Sequence, residues 1–255
     1  MLKPFKADLH IHTVLSGCAE VEMIPPLIIR QARQLGLNLI AVTDHNASDN
    51  VEGLIKASAG TGVHVLPGME LQSKEEVHLL CLFDTMNQCR QWQKEVSRRL
   101  PPLNNNEEIF GAQFVVDEAG EWIRTESRLL SVSAELGLEE AVSGVRSLGG
   151  MVIPAHIDRP SFSLLSNLGM IPASFNGMAL EVTPRFVPRM GLKRWPELEG
   201  RCLIVNGDAH QLKQMQTRTR LTLAAPEIGE IEMAFKGEGD RHVTVEWLDV
   251  EGEAL

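Results

Sequence analysis

Cysteine, basic charge and long apolar runs are all scarce in this 255-residue chain, and each shortage excludes something. The four cysteines, Cys18, Cys81, Cys89 and Cys202, form no Cys-x-x-Cys pair, so a disulfide-built scaffold is excluded and reduced thiols are expected. No apolar run approaches the roughly 18 residues that a membrane helix needs. The polar start Lys3-Pro4-Phe5-Lys6-Ala7-Asp8 leaves no room for the apolar core of a secretory signal, and a cytoplasmic protein is expected. Lysine and arginine number 24 against 34 aspartates and glutamates, a net charge of −10. That excludes an extended phosphate-binding face for long nucleic acid, while a local basic pocket for one phosphate stays open. There is no G-x-S-x-G elbow, catalytic-cysteine motif or P-loop, and no repeat, low-complexity tract or linker divides the chain.

What remains is an ordinary folded composition, 44% apolar and 23% charged, long enough to bury a full core. Apolar runs of strand length alternate with helical patterns, the mark of βα units around a parallel sheet or barrel. The expected strands are Ala7 to His12, Leu37 to Thr43, Val63 to Glu70, Val77 to Phe83, Met151 to Ala155, Met178 to Val182 and Cys202 to Asn206. Helices are expected after Pro25-Pro26 up to Gly36, over Leu138 to Leu148, and over Ile228 to Phe235. The stretch 84–131 breaks this rhythm with a helix over Gln88 to Leu100, an Asn104–Asn106 loop, and a hairpin pairing Gln113–Val116 with Glu121–Arg124. Residues 1–255 therefore read as one α/β domain with an insertion over 84–131 on its rim.

Chemistry gathers at the ends of the strands. His10 and His12 are two apart, so on a strand both side chains face the same way, as two ligands to one ion must. Asp8 shares that face, where its carboxylate is expected to take the distal N–H of one imidazole and set its tautomer. Asp44-His45 closes the run Leu39 to Thr43, and Glu70 closes Val63 to Met69, where a carboxylate is costly unless paired or metal-bound. His156 closes Met151 to Ala155, and Asp208 with His210 follows Cys202 to Gly207. Taken singly, each has a plain structural reading as a satisfied core histidine, a surface histidine or a helix cap. Five strand ends carrying such groups together point to one multinuclear metal site.

The ordered set resembles the PHP (polymerase and histidinol phosphatase) superfamily of metal-dependent phosphoesterases. Its D-x-H-x-H-T, T-D-H, mid-chain Glu and His, lone His and closing D-x-H fall here on Asp8 to Thr13, Thr43 to His45, Glu70, His78, His156, and Asp208 to His210. The runs Ala155 to Gly169 and Asn105 to Gly111 are similar to small stand-alone bacterial members. The resemblance implies a distorted (β/α)7 TIM-like barrel with two or three divalent ions, zinc, manganese or iron, at the C-terminal ends of the strands. It places one ion on His10, His12, Glu70 and Asp208, a second on Glu70, His78 and His156, and a third on His45 and His210. His78 begins its run rather than ending it, so it reaches that rim only if its strand runs antiparallel or bends inward. The family's remaining third-site ligand, an Asp or His soon after the first motif, is Cys18 here. Either the thiolate ligates and favours zinc or iron over manganese, or that position stays empty. His64 and His242 match no motif and read as structural or exposed.

Clustered divalent ions polarise phosphoryl oxygens and lower the pKa of a bridging water, supplying hydroxide for in-line attack. On that reading Asp8, Glu70, Asp208 and Arg159 serve catalysis, and Arg159 and Arg185 clamp the substrate phosphate rather than merely pairing with rim carboxylates. The expected activity is hydrolysis of a small phosphorylated metabolite, a nucleotide or a short oligonucleotide. One alternative is a metal-dependent amidohydrolase, but many of those bridge their ions with a carboxylated lysine at a strand end, and no lysine here ends an apolar strand. The other is a non-catalytic module, which would close its metals entirely in protein ligands.

Overall fold

The computed structural model describes residues 1–248, and in it each of the seven apolar runs forms a strand. β1 (Lys3–Ile11) leads to α1 (Pro25–Leu35), which takes Pro25 and Pro26 in its first turn and ends on Gly36 in the left-handed region, φ 71°. β2 (Leu39–Val42), buried throughout, is followed by α2 (Val51–Ser58), β3 (His64–Gln72) and β4 (His78–Leu82). The stretch 84–131 supplies α3 (Met86–Arg99), opened by a Thr85–Gln88 capping box, then α4 (Glu107–Phe110) and the hairpin β5 (Phe114–Val116) and β6 (Trp122–Thr125). After α5 (Leu138–Ser147) come β7 (Met151–Pro154), α6 (Leu164–Asn167), β8 (Leu180–Val182), α7 (Pro188–Arg194), β9 (Leu203–Val205), β10 (Thr219–Leu223), α8 (Ile228–Lys236) and β11 (His242–Val245). Among the described residues no helix is long and apolar enough to cross a membrane.

The class is α/β, but the expected ring of seven strands is not built as one ladder. Seven strands form a curled sheet in the order β11-β10-β1-β2-β3-β4-β7, while β8 and β9 pair only with each other, in parallel. The late strand β10, absent from the sequence expectation, explains this. It pairs antiparallel with β1 from Lys3 to Ala7 and so occupies the first half of the edge that β9 would need. Only the end of β1 is left: the His12 backbone N–H donates to the Ala209 carbonyl at 3.0 Å and the Ala209 N–H to the His10 carbonyl at 3.1 Å. On the other side the Ile157 N–H donates to the Glu181 carbonyl at 2.8 Å. The β8–β9 pair is therefore tied in near the strand ends that carry the histidines.

Packing joins what the ladder does not. Ala7, Leu9, Leu39, Ala41, Leu66, Leu80, Ile153, Ala155, Ala179 and Ile204 meet in one buried apolar cluster, with Ile228, Ile231 and Ala234 of α8. Each large aliphatic chain so buried contributes about 1.5–3 kcal/mol, which holds the strands rigidly enough to position polar groups at their ends. α3 buries Cys89, Trp92 and Val96 in a second cluster with Met69, Leu79 and Val152.

Candidate metal centre

Glu70, fully buried near the end of β3, stands at the middle of the assembled side chains. Its Oε1 lies 2.8 Å from His78 Nδ1 and 3.2 Å from both His10 Nε2 and His156 Nε2. Its Oε2 lies 2.8 Å from His45 Nδ1 and 3.5 Å from His12 Nε2. His78 reaches this point because β4 runs antiparallel to β3, pairing its first residue with Gln72 at the end of β3. Asp208 Oδ1 is 3.2 Å from His12 Nε2 and 3.3 Å from His10 Nε2. Among the described residues the donor atoms fall into three groups, each within 4.8 Å: His10, His12, Glu70 and Asp208; His45, Glu70 and His78; and His12, His45 and His210.

Hydrogen bonds identify which ring nitrogens are bare. His10 Nδ1 lies 2.9 Å from a Glu181 oxygen, which can only accept, so Nδ1 carries the proton and Nε2 points inward. Ser16 Oγ donates to Asp44 Oδ1 at 2.7 Å and so accepts from His12 Nδ1 at 2.9 Å, which again leaves Nε2 bare. The two Nε2 atoms are 3.1 Å apart. Two lone pairs at that distance repel unless a proton or a cation sits between them. His45 Nδ1, Glu70 Oε2, His78 Nε2 and His156 Nδ1 are buried with no hydrogen-bond partner among the described residues, although the first two are only 2.8 Å apart: they are close without hydrogen-bond geometry. The bare Nε2 atoms of His10 and His12 beside the Glu70 and Asp208 carboxylates are a donor set that fits divalent ions.

Electrostatics agree with that fit. Burial opposes charge on Glu70, but His78, His10 and His45 hold its carboxyl well below the usual range. Burial also opposes protonation of His10 and His45, yet Glu181 and Glu70 beside His10, and Glu70 beside His45, raise both well above an ordinary histidine. His12 is held well below by burial and by His210 and His45, and burial takes His78 down to about 4. On His10 and His45 a proton therefore competes with metal for the nitrogen that the neutral ring leaves bare. Because an imidazole is protonated below its raised pKa, apparent metal affinity should strengthen as pH rises, by up to about tenfold per pH unit for each proton displaced. Competition titrations at several pH values check this; a flat profile contradicts it.

The buttressing differs from expectation at Asp8. The β1–β2 ladder changes register between Asp8 and Ile11. Asp8 instead accepts backbone N–H groups of Gly207 at 2.9 Å and Gln216 at 2.6 Å, and so fixes the segment that carries Asp208. The imidazole partner that it was expected to be is Glu181 on β8, which also accepts the His156 N–H at 3.0 Å and Asn206 Nδ2–H at 2.7 Å. Glu181 was legible in principle: a charged residue inside the apolar run Met178 to Val182 carries the same burial cost that singled out Glu70. His156 and Asp208 are held at φ 29° and 45°, left-handed conformations that cost non-glycine residues about 1–3 kcal/mol each.

Around this core, Arg159 Nη1 donates to Asp208 Oδ2 at 3.0 Å and keeps 41% of its side chain exposed. Arg159 and Arg185 line one cleft of about 640 Å³ with His156, Glu181, Asp208 and Lys213. Arg185 is exposed at this cleft. Cys18 is exposed but faces His210 and His45; burial opposes its ionisation, and these two imidazoles bring the thiol down to about 6. Phe162, at φ 57°, stacks on His78 with ring centres 5.0 Å apart. His64 and His242 stand away from the cluster on β3 and β11.

The family model of the PHP domain matches residues 8–159, more than half of the chain. The chain belongs to the PHP domain family. A curated relative, Uncharacterized protein MJ1587 of Methanocaldococcus jannaschii, is 33% identical over 78 residues, 28% of this chain and 46% of its own length. The lesion-specific endonuclease PfuEndoQ of Pyrococcus furiosus superposes with a TM-score of 0.71 at 23% identity over 94% of this PHP chain and 58% of its own. A protein provisionally described as a metal-dependent phosphoesterase, from Bifidobacterium adolescentis, superposes at 0.52 with 18% identity over 99% of this chain and 100% of its own. The PHP chain thus spans about half of the curated relative and somewhat more of the endonuclease, and at these identities the two structures establish a shared fold.

Proposed function

We propose that this PHP chain is a metal-dependent phosphoesterase holding ions on His10, His12, Glu70 and Asp208, on Glu70, His78 and His156, and on His45 with His210. The reading is carried by the two bare Nε2 atoms of His10 and His12, 3.1 Å apart and facing the Glu70 and Asp208 carboxylates. Divalent ions bound there would polarise a phosphoryl group and acidify a water molecule. The chain's own residues do the rest. Glu70 offers both oxygens to the surrounding donors, Asp208 turns its second oxygen to Arg159, and Arg159 stands at the cleft where a phosphate would enter. Glu70 in the bridging place favours phosphoester chemistry over the lysine-bridged amidohydrolase alternative.

The proposed substrate is a small phosphorylated metabolite, a nucleotide or the end of a short oligonucleotide. The cleft of about 640 Å³ and the net charge of −10 suit such molecules better than an extended duplex. A cytoplasmic setting and a single domain with 84–131 on its rim complete the reading. A panel of phosphomonoesters and phosphodiesters assayed with manganese, zinc and iron, with His10→Ala as control, tests it. Turnover that disappears with chelator and in the control is expected; equal turnover in His10→Ala overturns the assignment.

Arg159→Ala removes a charge-assisted contact of about 1.5–3 kcal/mol, so kcat/KM should fall about 10- to 100-fold with metal content unchanged. Arg159→Lys should recover only part of this, because an ammonium lacks the planar two-pronged donor. Unchanged kcat/KM in Arg159→Ala would remove it from the substrate contact.

A further inference from the structure

Aromatic side chains are scarce, with no tyrosine, eight phenylalanines and four tryptophans in 255 residues, yet one of them stands beside the histidine cluster. Phe162 is held at φ 57°, a left-handed backbone that a bulky residue adopts only at a cost. Its loop is built to keep it there. The His78 backbone N–H donates to the Phe162 carbonyl at 3.1 Å, and Ser163 Oγ donates back to the Arg159 carbonyl at 2.7 Å. Asp158 accepts the Thr183 backbone N–H and hydroxyl at 2.7 Å each. One short loop thus carries His156, Arg159 and Phe162. The Phe162 ring lies on His78, with ring centres 5.0 Å apart and planes 17° from parallel. It remains partly exposed and lines a recess of about 520 Å³.

That recess and the cleft of about 640 Å³ meet at Arg159, Asp208 and Gln214, which line both. Away from this junction their chemistry differs. The cleft carries Arg185 and Lys213. The recess carries Gln72, Ser131, Phe162 and Gln211 besides its histidines and Cys18, and no further lysine, arginine or carboxylate. Phe162 is the one phenylalanine or tryptophan among the described residues that lines either space. An aromatic face accompanied by amides and a hydroxyl suits a flat, uncharged group with donors and acceptors along its edge, which is the chemistry of a nucleobase. A sugar or an alkyl chain has no π-face to lay on the ring. We propose that Phe162 is a stacking platform for the base of a nucleotide whose phosphate stands at Arg159, so that the chain selects nucleotides over sugar and alkyl phosphates. The proposal rests on the phosphoesterase reading and narrows its substrate class.

Adenosine 5′-monophosphate and ribose 5-phosphate differ in the base, so the ratio of their kcat/KM values in the metal-loaded full chain reads the platform. The wild-type chain should favour the nucleotide by about 5- to 150-fold, the range of one base–aromatic stack, chiefly through KM. Where only diesters turn over, the ratio of the two Ki values as competitive inhibitors takes its place. Phe162→Ala and Phe162→Leu should lose most of the preference, and Phe162→Trp should keep it. Leucine still covers His78, and damage to His78 or its ion would slow both substrates alike, so the ratio separates stacking from support of the site. A preference that is absent from the wild-type chain, or that survives in Phe162→Ala, overturns the platform and leaves the phosphoesterase reading standing. No turnover of any phosphomonoester or phosphodiester with manganese, zinc or iron overturns both.

Discussion

Glu70→Gln should lower kcat by about 1000-fold or more, since the expected loss of several kcal/mol of transition-state charge stabilisation, about 4, corresponds to three powers of ten. The substitution preserves volume and removes one charge from a fully buried position. Both carboxylate oxygens face imidazole nitrogens, five of them within 3.5 Å. An amide gives up one acceptor and turns two N–H donors toward rings whose bare nitrogens are wanted for metal. Elemental analysis should show at least one ion fewer per chain. A variant within tenfold of wild-type kcat and with full metal content would remove Glu70 from the bridging role.

Glu181→Ala should lower stability by about 3–5 kcal/mol, the cost of stripping one partner from a buried charged pair. In a domain of this size each kcal/mol moves Tm by about 2–4 °C, so a fall of about 10 °C is expected. Three donors lose their acceptor together: His10 Nδ1–H, the His156 N–H and Asn206 Nδ2–H. His156 is already in a left-handed conformation, so its release should also loosen a ring that faces Glu70. Metal affinity should fall about 10- to 100-fold, as it does when the partner of a ligating histidine is removed. Glu181→Gln, which keeps an acceptor for His10, should recover part of both. Thermal unfolding with and without zinc reads the two effects separately; a Tm shift below about 2 °C with unchanged affinity would contradict the role.

Individual residues show how far local pattern carries. His10, His12, His45, Glu70, His156, Asp208 and His210 were legible because each follows an apolar run, and a buried strand has to deliver its polar residues at an end. Arg159 is read from its place three residues after His156, whereas Cys18 is read only from the family resemblance. Glu181 lies inside its apolar run rather than after it, so the strand-end pattern does not single it out. Spacing gives the strand face of Asp8 but not its partners, and its carboxylate accepts the Gly207 and Gln216 backbone N–H groups rather than an imidazole N–H.

By itself, then, the sequence determined the inventory of donors, the α/β class and the delivery of most donors at strand ends, all properties of short apolar periodicity. Only the tertiary structure decided that β4 runs antiparallel and brings His78 to Glu70, that β10 takes half the edge of β1 and leaves β8 and β9 as a separate pair, and that Glu181 rather than Asp8 supports His10. Strand direction, edge occupancy and hydrogen-bond partners depend on contacts between segments up to about two hundred residues apart, and local spacing carries no information about them.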